Sequence, residues 1–516
     1  MDFMAQMEAL NRPKPEDLWK PWMEGTEMLL ATAEDLDKIA EECIKAGIYA
    51  CDLETTGLDQ RAFPNDSGRL ETVDKIVGVC IATTRMKGWY IPIRHRGEGA
   101  EANIPPRLVI AMLQKIQETG TIAVFHNAKF DQKFLMYDPA GTVDTWDNPR
   151  TWEDTMILAY LNNMRDKSRG LKKLSKEWLG REMIELPDLF LKEKGKKKKN
   201  LDFSQLDPRW EPCIWYACSD AMNTIALCEI LKPLVVEKDQ FGNGQSTMYM
   251  IEKICITATI WMEQCRIFVD RPKLIELIQL GQAEWWKCIN DVYDAVGKAL
   301  GRDVRPGWVH VMAQGFDPLV LLPDYMEVRE ASMREAAPDT RPKTSKSVPS
   351  LTDPKIRETV EFPPSYDVTI PASLGLMMRE LGVRGLVATE KSGQVATRKE
   401  VLEKVIKDAG EQFGFMKSVK RFREVSKALG SNLFNIYRDS STERAPDGCV
   451  WANFKATGTD TGRFSTPTPR HKNFMGQVNW NVQSTKAPYY DPKDPPPQCV
   501  YRQRECIAAR PGYCLY

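Results

Sequence analysis

The sequence is short of histidine: four in 516 residues, none close to another and none in a zinc-ligand pattern. Zinc chemistry built on imidazole is therefore set aside. The thirteen cysteines are scattered, odd in number and free of any Cys-x-x-Cys pair. That distribution argues against a disulfide framework and for reduced thiols in the cytoplasm. No apolar run approaches the length of a membrane span, and the start Met1-Asp-Phe-Met-Ala-Gln-Met-Glu lacks the basic region of a signal peptide, so no membrane partner is expected. Net charge is missing too, at a formal +0; any affinity for nucleic acid must come from local clusters. The length and the 42% hydrophobic fraction suffice for two or three ordinary domains.

What the sequence does have is four carboxylates in three short motifs. Asp52 and Glu54 stand in Tyr49-Ala-Cys-Asp-Leu-Glu-Thr-Thr-Gly. Asp131 closes His126-Asn-Ala-Lys-Phe-Asp, and Asp220 follows Tyr216 in Tyr-Ala-Cys-Ser-Asp. Ile48 to Glu54 reads as a buried strand, so alternation puts Asp52 and Glu54 on one face and Cys51 and Leu53 on the other. Thr121 to Phe125 reads as a second strand, delivering Asn127 and Asp131 at its carboxyl end or on the next helix. Trp210 to Leu231 has helical spacing, which sets Tyr216 and Asp220 one turn apart on one face. Alone, an Asp-x-Glu at a strand end is usually a solvated turn and a Tyr-x-x-x-Asp a surface pair. Taken in order, each on a regular element, they describe one convergent site.

Such a site suits two hard cations and a scissile phosphate. Mg²⁺ and Mn²⁺ prefer oxygen ligands and retain waters. Two of them about 4 Å apart can activate a water and stabilise the leaving oxygen of an in-line phosphoryl displacement. Asp52 is expected to bridge both ions, Glu54 and Asp220 to complete the first site, and Asp131 to hold the second through water. Tyr216 would orient the attacking water, since a phenol of pKa about 10 is a poor base at neutral pH.

On these motifs, residues from about 33 to 236 resemble the proofreading 3′–5′ exonuclease domain of family A DNA polymerases, in the class with a tyrosine in its third motif. The resemblance implies a ribonuclease H-like α/β fold, a mixed sheet with flanking helices, and catalysis by Asp52, Glu54, Asp131, Tyr216 and Asp220. It places Thr55 and Leu58 against the 3′-terminal nucleotide and matches Asn127 to the polar residue preceding the second-motif aspartate. Asp154 in Asp-Thr-Met matches a further family segment and is read as a helix cap. His126 stands where the polymerase I pattern often has glutamine. The resemblance continues into a mainly helical polymerase portion. Ile251 to Asp270 is similar to its opening helix, Ala372 to Val405 and Lys417 to Tyr437 to its thumb, and Thr457 to Ser465, Asn481-Val-Gln-Ser and Arg504 to Tyr516 to the approach to the palm.

The first palm aspartate, the fingers helix and the second palm carboxylate pair of the family are not found in the 516 residues. The expectation is therefore one part of a split polymerase, in which a C-terminal partner supplies palm and fingers, joined non-covalently or through a split intein; a truncated product is the plainer reading. A stand-alone exonuclease on DNA or RNA and a non-enzymatic scaffold half are the alternatives. The missing 5′-nuclease region would suit a phage protein acting in its host's cytoplasm. DNA primer–template and single-stranded 3′ ends are the expected partners. Lys417, Lys420, Arg421, Arg423 and Lys427 form a basic stripe for the duplex backbone, with Arg463, Asn481 and Gln483 as further DNA contacts. The Lys192 to Lys199 cluster stays open between phosphate contact and a solvated loop.

The domain plan is an N-terminal extension over 1–31 with Trp19 and Trp22 available for docking, the exonuclease over 32–240, and a thumb region over 241–445 with an insertion at about 302–366. The start of a palm follows over 446–516. Thr32 with Asp35 is expected to open the first exonuclease helix and Gly47 to close it. Asp59 to Asp74 is expected as a polar loop ahead of strands Ile76–Ala82 and Trp89–Ile93.

Overall fold

The computed structural model describes residues 14–141, 146–166, 168–190, 202–237, 244–317, 362–383, 386, 399–409, 414–441, 445, 447–459 and 497–508. The chain forms two compact units, one grouping Met1–Cys265 with Asn453–Ser465 and the other Arg266–Ala452 with Thr466–Tyr516.

The first unit is built on a mixed six-stranded sheet. Its strands are β1 (Glu27–Leu30), β2 (Ile48–Thr55), β5 (Ile76–Thr84), β6 (Lys87–Pro92), β7 (Ile122–Phe125) and β8 (Trp152–Asp154), in the order β1-β6-β5-β2-β7-β8. The central strand β2 pairs antiparallel with β5 and parallel with β7. Helix α1 (Leu36–Ala46) enters through a capping box, Thr32 N donating to Asp35 Oδ2 at 2.9 Å. It ends where Gly47 takes φ +69°, a left-handed turn that admits the chain directly into β2. Helix α2 (Pro106–Glu118) packs beside α1.

Helix α3 (Ala128–Tyr137) follows β7, and α4 (Thr155–Asn162) follows β8. Helix α5 (Glu211–Val236) lies across β2, β5 and β6 and is buried on most sides, as a helix apolar all round must be. The expected polar loop over 59–74 instead contains a hairpin of β3 (Ala62–Pro64) and β4 (Leu70–Thr72). Its turn is closed by the Asn65 carboxamide, which accepts from the backbones of Ser67 and Arg69 at 3.0 Å each, with Gly68 at φ +79°. The N-terminal extension docks through its tryptophans. Trp19 meets Trp215 edge-on at 4.9 Å, and Trp22 Nε1 donates to Glu182 O at 2.6 Å.

Helix α6 (Ser246–Cys265) and the strip beginning at Asn453 belong to this same unit, beyond the boundary at 240 expected from sequence. Buried charge explains the attachment. Glu263 receives Lys129 at 2.6 Å, Lys133 at 2.9 Å and the Phe454 amide at 2.7 Å. Lys129 also donates to Phe454 O at 2.6 Å and Asn453 Oδ1 at 3.0 Å. Burial opposes charge on Glu263, but the two ammonium groups hold its carboxyl below the usual range. Farther along α6, Lys253 donates to Glu153 at 3.2 Å, and the Tyr249 hydroxyl accepts from Asp154 N at 2.9 Å.

The second unit is largely helical. Helix α7 (Arg271–Leu300) is capped by Asp270, which accepts from Lys273 N at 3.0 Å. It packs along α8 (Phe415–Lys427), with Trp285 meeting Phe422 at 6.2 Å. Within the segment likened to the thumb, α8 passes through a π-helical stretch, Ala428–Leu433, before resuming as Phe434–Asp439. The Asn435 side chain donates to Ser431 O at 2.9 Å beside that widened turn. Strands β9 (Ile267–Val269), β10 (Cys449–Val450) and β11 (Ile507–Ala508) form an antiparallel sheet ordered β10-β9-β11. Part of the expected insertion is ordered packing: Trp308, 1% exposed, stacks near Trp285 at 6.4 Å. Arg463, Asn481, Gln483 and the Lys192 to Lys199 cluster lie outside the described residues.

Removing one partner of a buried ion pair leaves the others uncompensated, at a cost of about 3–5 kcal/mol. Glu263→Ala is therefore expected to lower the stability of the first unit by that order, read as an earlier urea transition; an unchanged midpoint would show that the network is not stabilising.

Candidate active site

Four carboxylates converge from three elements, one strand and two helices. Asp52 and Glu54 share one face of β2 by alternation. Asp131 sits in the first turn of α3, and Asp220 on α5 one turn after Tyr216. Their convergence shows in their electrostatics. Burial, then the charges of Asp220, Asp131 and Glu54, push the Asp52 carboxyl well above its ordinary pKa, with Lys172 opposing. Burial and then Asp220 raise Glu54 likewise. Burial raises Asp131, with Asp154 and Asp220 adding, against hydrogen bonds from its own amide and that of Leu53. Asp220 is pushed up by burial to about 7, Lys172 pulling the other way. Burial, then Asp220, Glu54 and Asp52, keep the Tyr216 phenol protonated far above its usual range.

The pocket also holds polar atoms with nothing to bond. Glu54 Oε1, Asp131 Oδ1 and Asp220 Oδ1 are buried without a hydrogen-bond partner. Buried, unpaired oxygens of this kind cost free energy unless a cation or donor joins them. The donor set, all oxygen apart from one sulfur, and these vacant lone pairs fit divalent metal ions.

Neighbouring residues fix the geometry. Asp154 caps α4, accepting from Met156 N at 2.7 Å and Ile157 N at 3.3 Å, as read from sequence. It also accepts from Ala128 N at 2.8 Å and Asn127 N at 3.2 Å, so one carboxylate ties the start of α3 to α4. Those bonds hold Asn127 at φ +70°, a left-handed conformation that asparagine tolerates better than most residues. Register between β2 and β5 shifts between Glu54 and Thr55, turning the chain out of the sheet beside the acids. Thr55 Oγ1 then donates to Gly57 O at 2.7 Å. Asp74 braces the turn, accepting from Thr56 Oγ1 at 3.0 Å and Asp59 N at 2.7 Å. A Cβ on Gly57 would lie 2.5 Å from the Asp74 carboxylate, so a side chain there would have to displace that brace. Leu58 is left 59% exposed, an apolar side chain with no core to enter. Phe134 is core, while Phe130 is part-buried 5.1 Å from it.

Two residues escaped the sequence reading. Lys172 lies over the Tyr216 ring at 4.8 Å and donates to Ile184 O at 2.6 Å and Glu185 Oε2 at 3.1 Å. Nothing in Leu171-Lys-Lys-Leu174 distinguishes it from a surface lysine. Cys80 on β5 stands directly opposite Asp52, and its sulfur lies with oxygens of Asp52 and Glu54 inside a 4.8 Å cluster. Only strand register brings it there. In the second unit the basic stripe is partly neutralised: Arg421 Nε donates to Glu284, and Lys420 pairs with Glu403 at 3.3 Å. Lys417 and Lys427 are exposed, and Arg423 is part-buried.

Residues 29–236 match the 3′–5′ exonuclease family. DNA polymerase I of Rhizobium leguminosarum is 26% identical over 252 residues, 47% of this chain and 23% of that protein. The DNA polymerase of Escherichia phage T5 is 28% identical over 189 residues, 35% of this chain and 20% of that one. This chain carries a 3′–5′ exonuclease domain related to DNA polymerase I. It spans less than a quarter of the length of these curated relatives. Among solved structures, the POL domain of Pol1 from M. smegmatis in complex with DNA primer-template and dNTP superposes with a TM-score of 0.50 at 16% identity, covering 93% of this chain and 58% of that one. That likeness is one of fold, a mixed α/β exonuclease domain followed by a helical polymerase-like region.

The raised carboxyl of Asp220 gives a pH signature. Unfolded, the group ionises near 3.8; folded, near 7. Between those values the folded state binds more protons, so this group's contribution to stability falls as pH rises. In chelator, the stability gained by Asp220→Asn is expected to grow from pH 4 to pH 7 and then level off, as measured by urea unfolding at each pH. A gain independent of pH would refute the assignment.

Proposed function

We propose that this chain hydrolyses the 3′-terminal phosphodiester of DNA with two divalent cations, as the proofreading activity of a family A DNA polymerase. The observation that carries the reading is the set of buried, unpartnered oxygens on Glu54, Asp131 and Asp220, around which Asp52 completes the acidic pocket. Asp52 would be shared by two Mg²⁺ or Mn²⁺ ions, Glu54 and Asp220 would complete one site, and Asp131 would serve the other through water. Bound there, the cations supply the Lewis acidity that activates water and neutralises the leaving oxygen.

The protein's own groups do the positioning. Tyr216, kept protonated by burial and by its acidic neighbours, orients the attacking water through its hydroxyl instead of removing a proton. Leu58, exposed on a braced turn, offers an apolar surface to the terminal base, with Thr55 and Asn127 beside the acids as polar contacts. A frayed end reaches such a pocket more readily than a paired one, because unpairing costs a few kcal/mol. The exposed Lys417 and Lys427, with Lys420, Arg421 and Arg423 on the same helix, would follow the backbone of the primer–template duplex.

A 3′-labelled single-stranded oligonucleotide in Mg²⁺ tests the reading. Wild-type protein is expected to release labelled mononucleotide, Asp52→Ala to release none, and Tyr216→Phe to lower kcat by roughly 10²-fold through misplaced water. Equal activity of wild type and Asp52→Ala would remove the catalytic assignment. For the duplex contact, Lys417→Ala with Lys427→Ala is expected to flatten the log-affinity against log-salt slope by about 0.9 per lost phosphate contact. An unchanged slope would place those lysines off the DNA.

A further inference from the structure

Cys80 has no part in the chemistry above, yet it stands among the carboxylates. Register pairs Asp52 of β2 with Cys80 of β5, and Cys80 with Tyr90 of β6. Residues directly opposite in antiparallel strands project to one face, so these three form a row across the sheet. The sulfur is fully buried and within 4.8 Å of ligand oxygens of both Asp52 and Glu54. Glu54 and Asp131, only 7% and 2% exposed, each keep an unpartnered oxygen, and both lie near enough for their charges to act on Asp52. Those oxygens are an independent sign that the pocket is arranged around a cation.

Cations differ in what they make of a sulfur. Mg²⁺ takes oxygen and gains nothing from a thiol. Zn²⁺ and Cd²⁺ bind thiolate and carboxylate together, with a Zn–S bond of about 2.3 Å and a Zn–O bond of about 2.0 Å. Donors on one tetrahedral ion then lie roughly 3.5 Å apart, a separation that a modest side-chain rotation reaches from the observed cluster.

We propose that Cys80 Sγ is a third protein donor beside Asp52 and Glu54, giving this centre a mixed oxygen–sulfur site that captures a soft divalent cation such as Zn²⁺ or Cd²⁺ in competition with Mg²⁺. As the sulfur–cation bond forms, the S–H bond breaks, its proton passes to solvent and the cation gives up a water. The inference rests on the reading of Asp52 and Glu54 as cation ligands. It makes the site one that thiophilic ions occupy without supporting the two-ion oxygen geometry.

The probe is Cd²⁺ added to the metal-free full chain, read by its sulfur-to-cadmium charge-transfer absorption. Cys80→Ser is expected to lose a one-equivalent component of that band and to bind Cd²⁺ about tenfold more weakly, with Mn²⁺ affinity unchanged. Cys218→Ser, at a second buried thiol near Cys80, should keep the band. Asp52→Asn and Glu54→Gln should weaken Cd²⁺ and Mn²⁺ alike. X-ray absorption of wild-type protein with one equivalent of Zn²⁺ needs no variant and should show a single sulfur at about 2.3 Å. A shell without sulfur, or a cadmium band untouched by Cys80→Ser, overturns the proposal while leaving the nuclease reading intact. A Cys80-dependent band in a chain without Mg²⁺-dependent nuclease activity supports the sulfur site and overturns the nuclease reading.

Discussion

Like charge confined in a small, poorly solvated volume is the constraint on which the acidic site depends. Asp220 raises the pKa values of Asp52, Glu54 and Asp131 beyond what burial alone does, and Lys172 offsets only part of the charge on Asp52, Glu54 and Asp220. A fold that collects such groups must hold them against their mutual repulsion. It does so by placing them on a central strand and on packed helices, where moving one acid means moving an element. Pre-organisation of this sort trades stability of the metal-free protein for a site that needs little rearrangement when ions bind.

The bracing is done by residues outside the set of four acids. Asp154 serves two helix starts and a left-handed asparagine; Asp74 pins the turn that turns Leu58 outward; Glu263 fastens the outer side of α3. Lys129 and Lys133 are one turn apart on α3 and Asp131 lies between them in sequence, so the helix is gripped by ammonium groups on one side and offers a carboxylate on another. The position of Asp131 is thereby tied to α6 and to residue 454.

Features governed by neighbours in sequence were legible there. The Thr32–Asp35 box, the Gly47 stop, strand β2, the turn separating Tyr216 from Asp220 and the capping role of Asp154 all follow from local periodicity and hydrogen-bonding chemistry. Features that need a partner far along the chain were not. Cys80 enters the site through strand register, which no local pattern specifies. Lys172 matters through its place over Tyr216. The hairpin over Ala62–Thr72 hid behind polar residues because Asn65 and Gly68, not an apolar alternation, make its turn. The basic stripe of α8 was visible, but its pairing with Glu284 and Glu403 was not, since those acids come from other helices.

The Glu263 network has a consequence in time. The carboxylate motifs are complete by Asp220, yet Lys129 waits for Phe454, 325 positions downstream, and Glu263 waits 191 positions for the same residue. At about 5–20 residues per second, the ribosome needs roughly 10–40 s to cover that second interval. Through it the nascent exonuclease unit carries buried lysines and a glutamate whose last partners are still being made. The exonuclease domain's half of the sequence is thus translated early and completed late, by a strip that follows most of the helical unit in sequence.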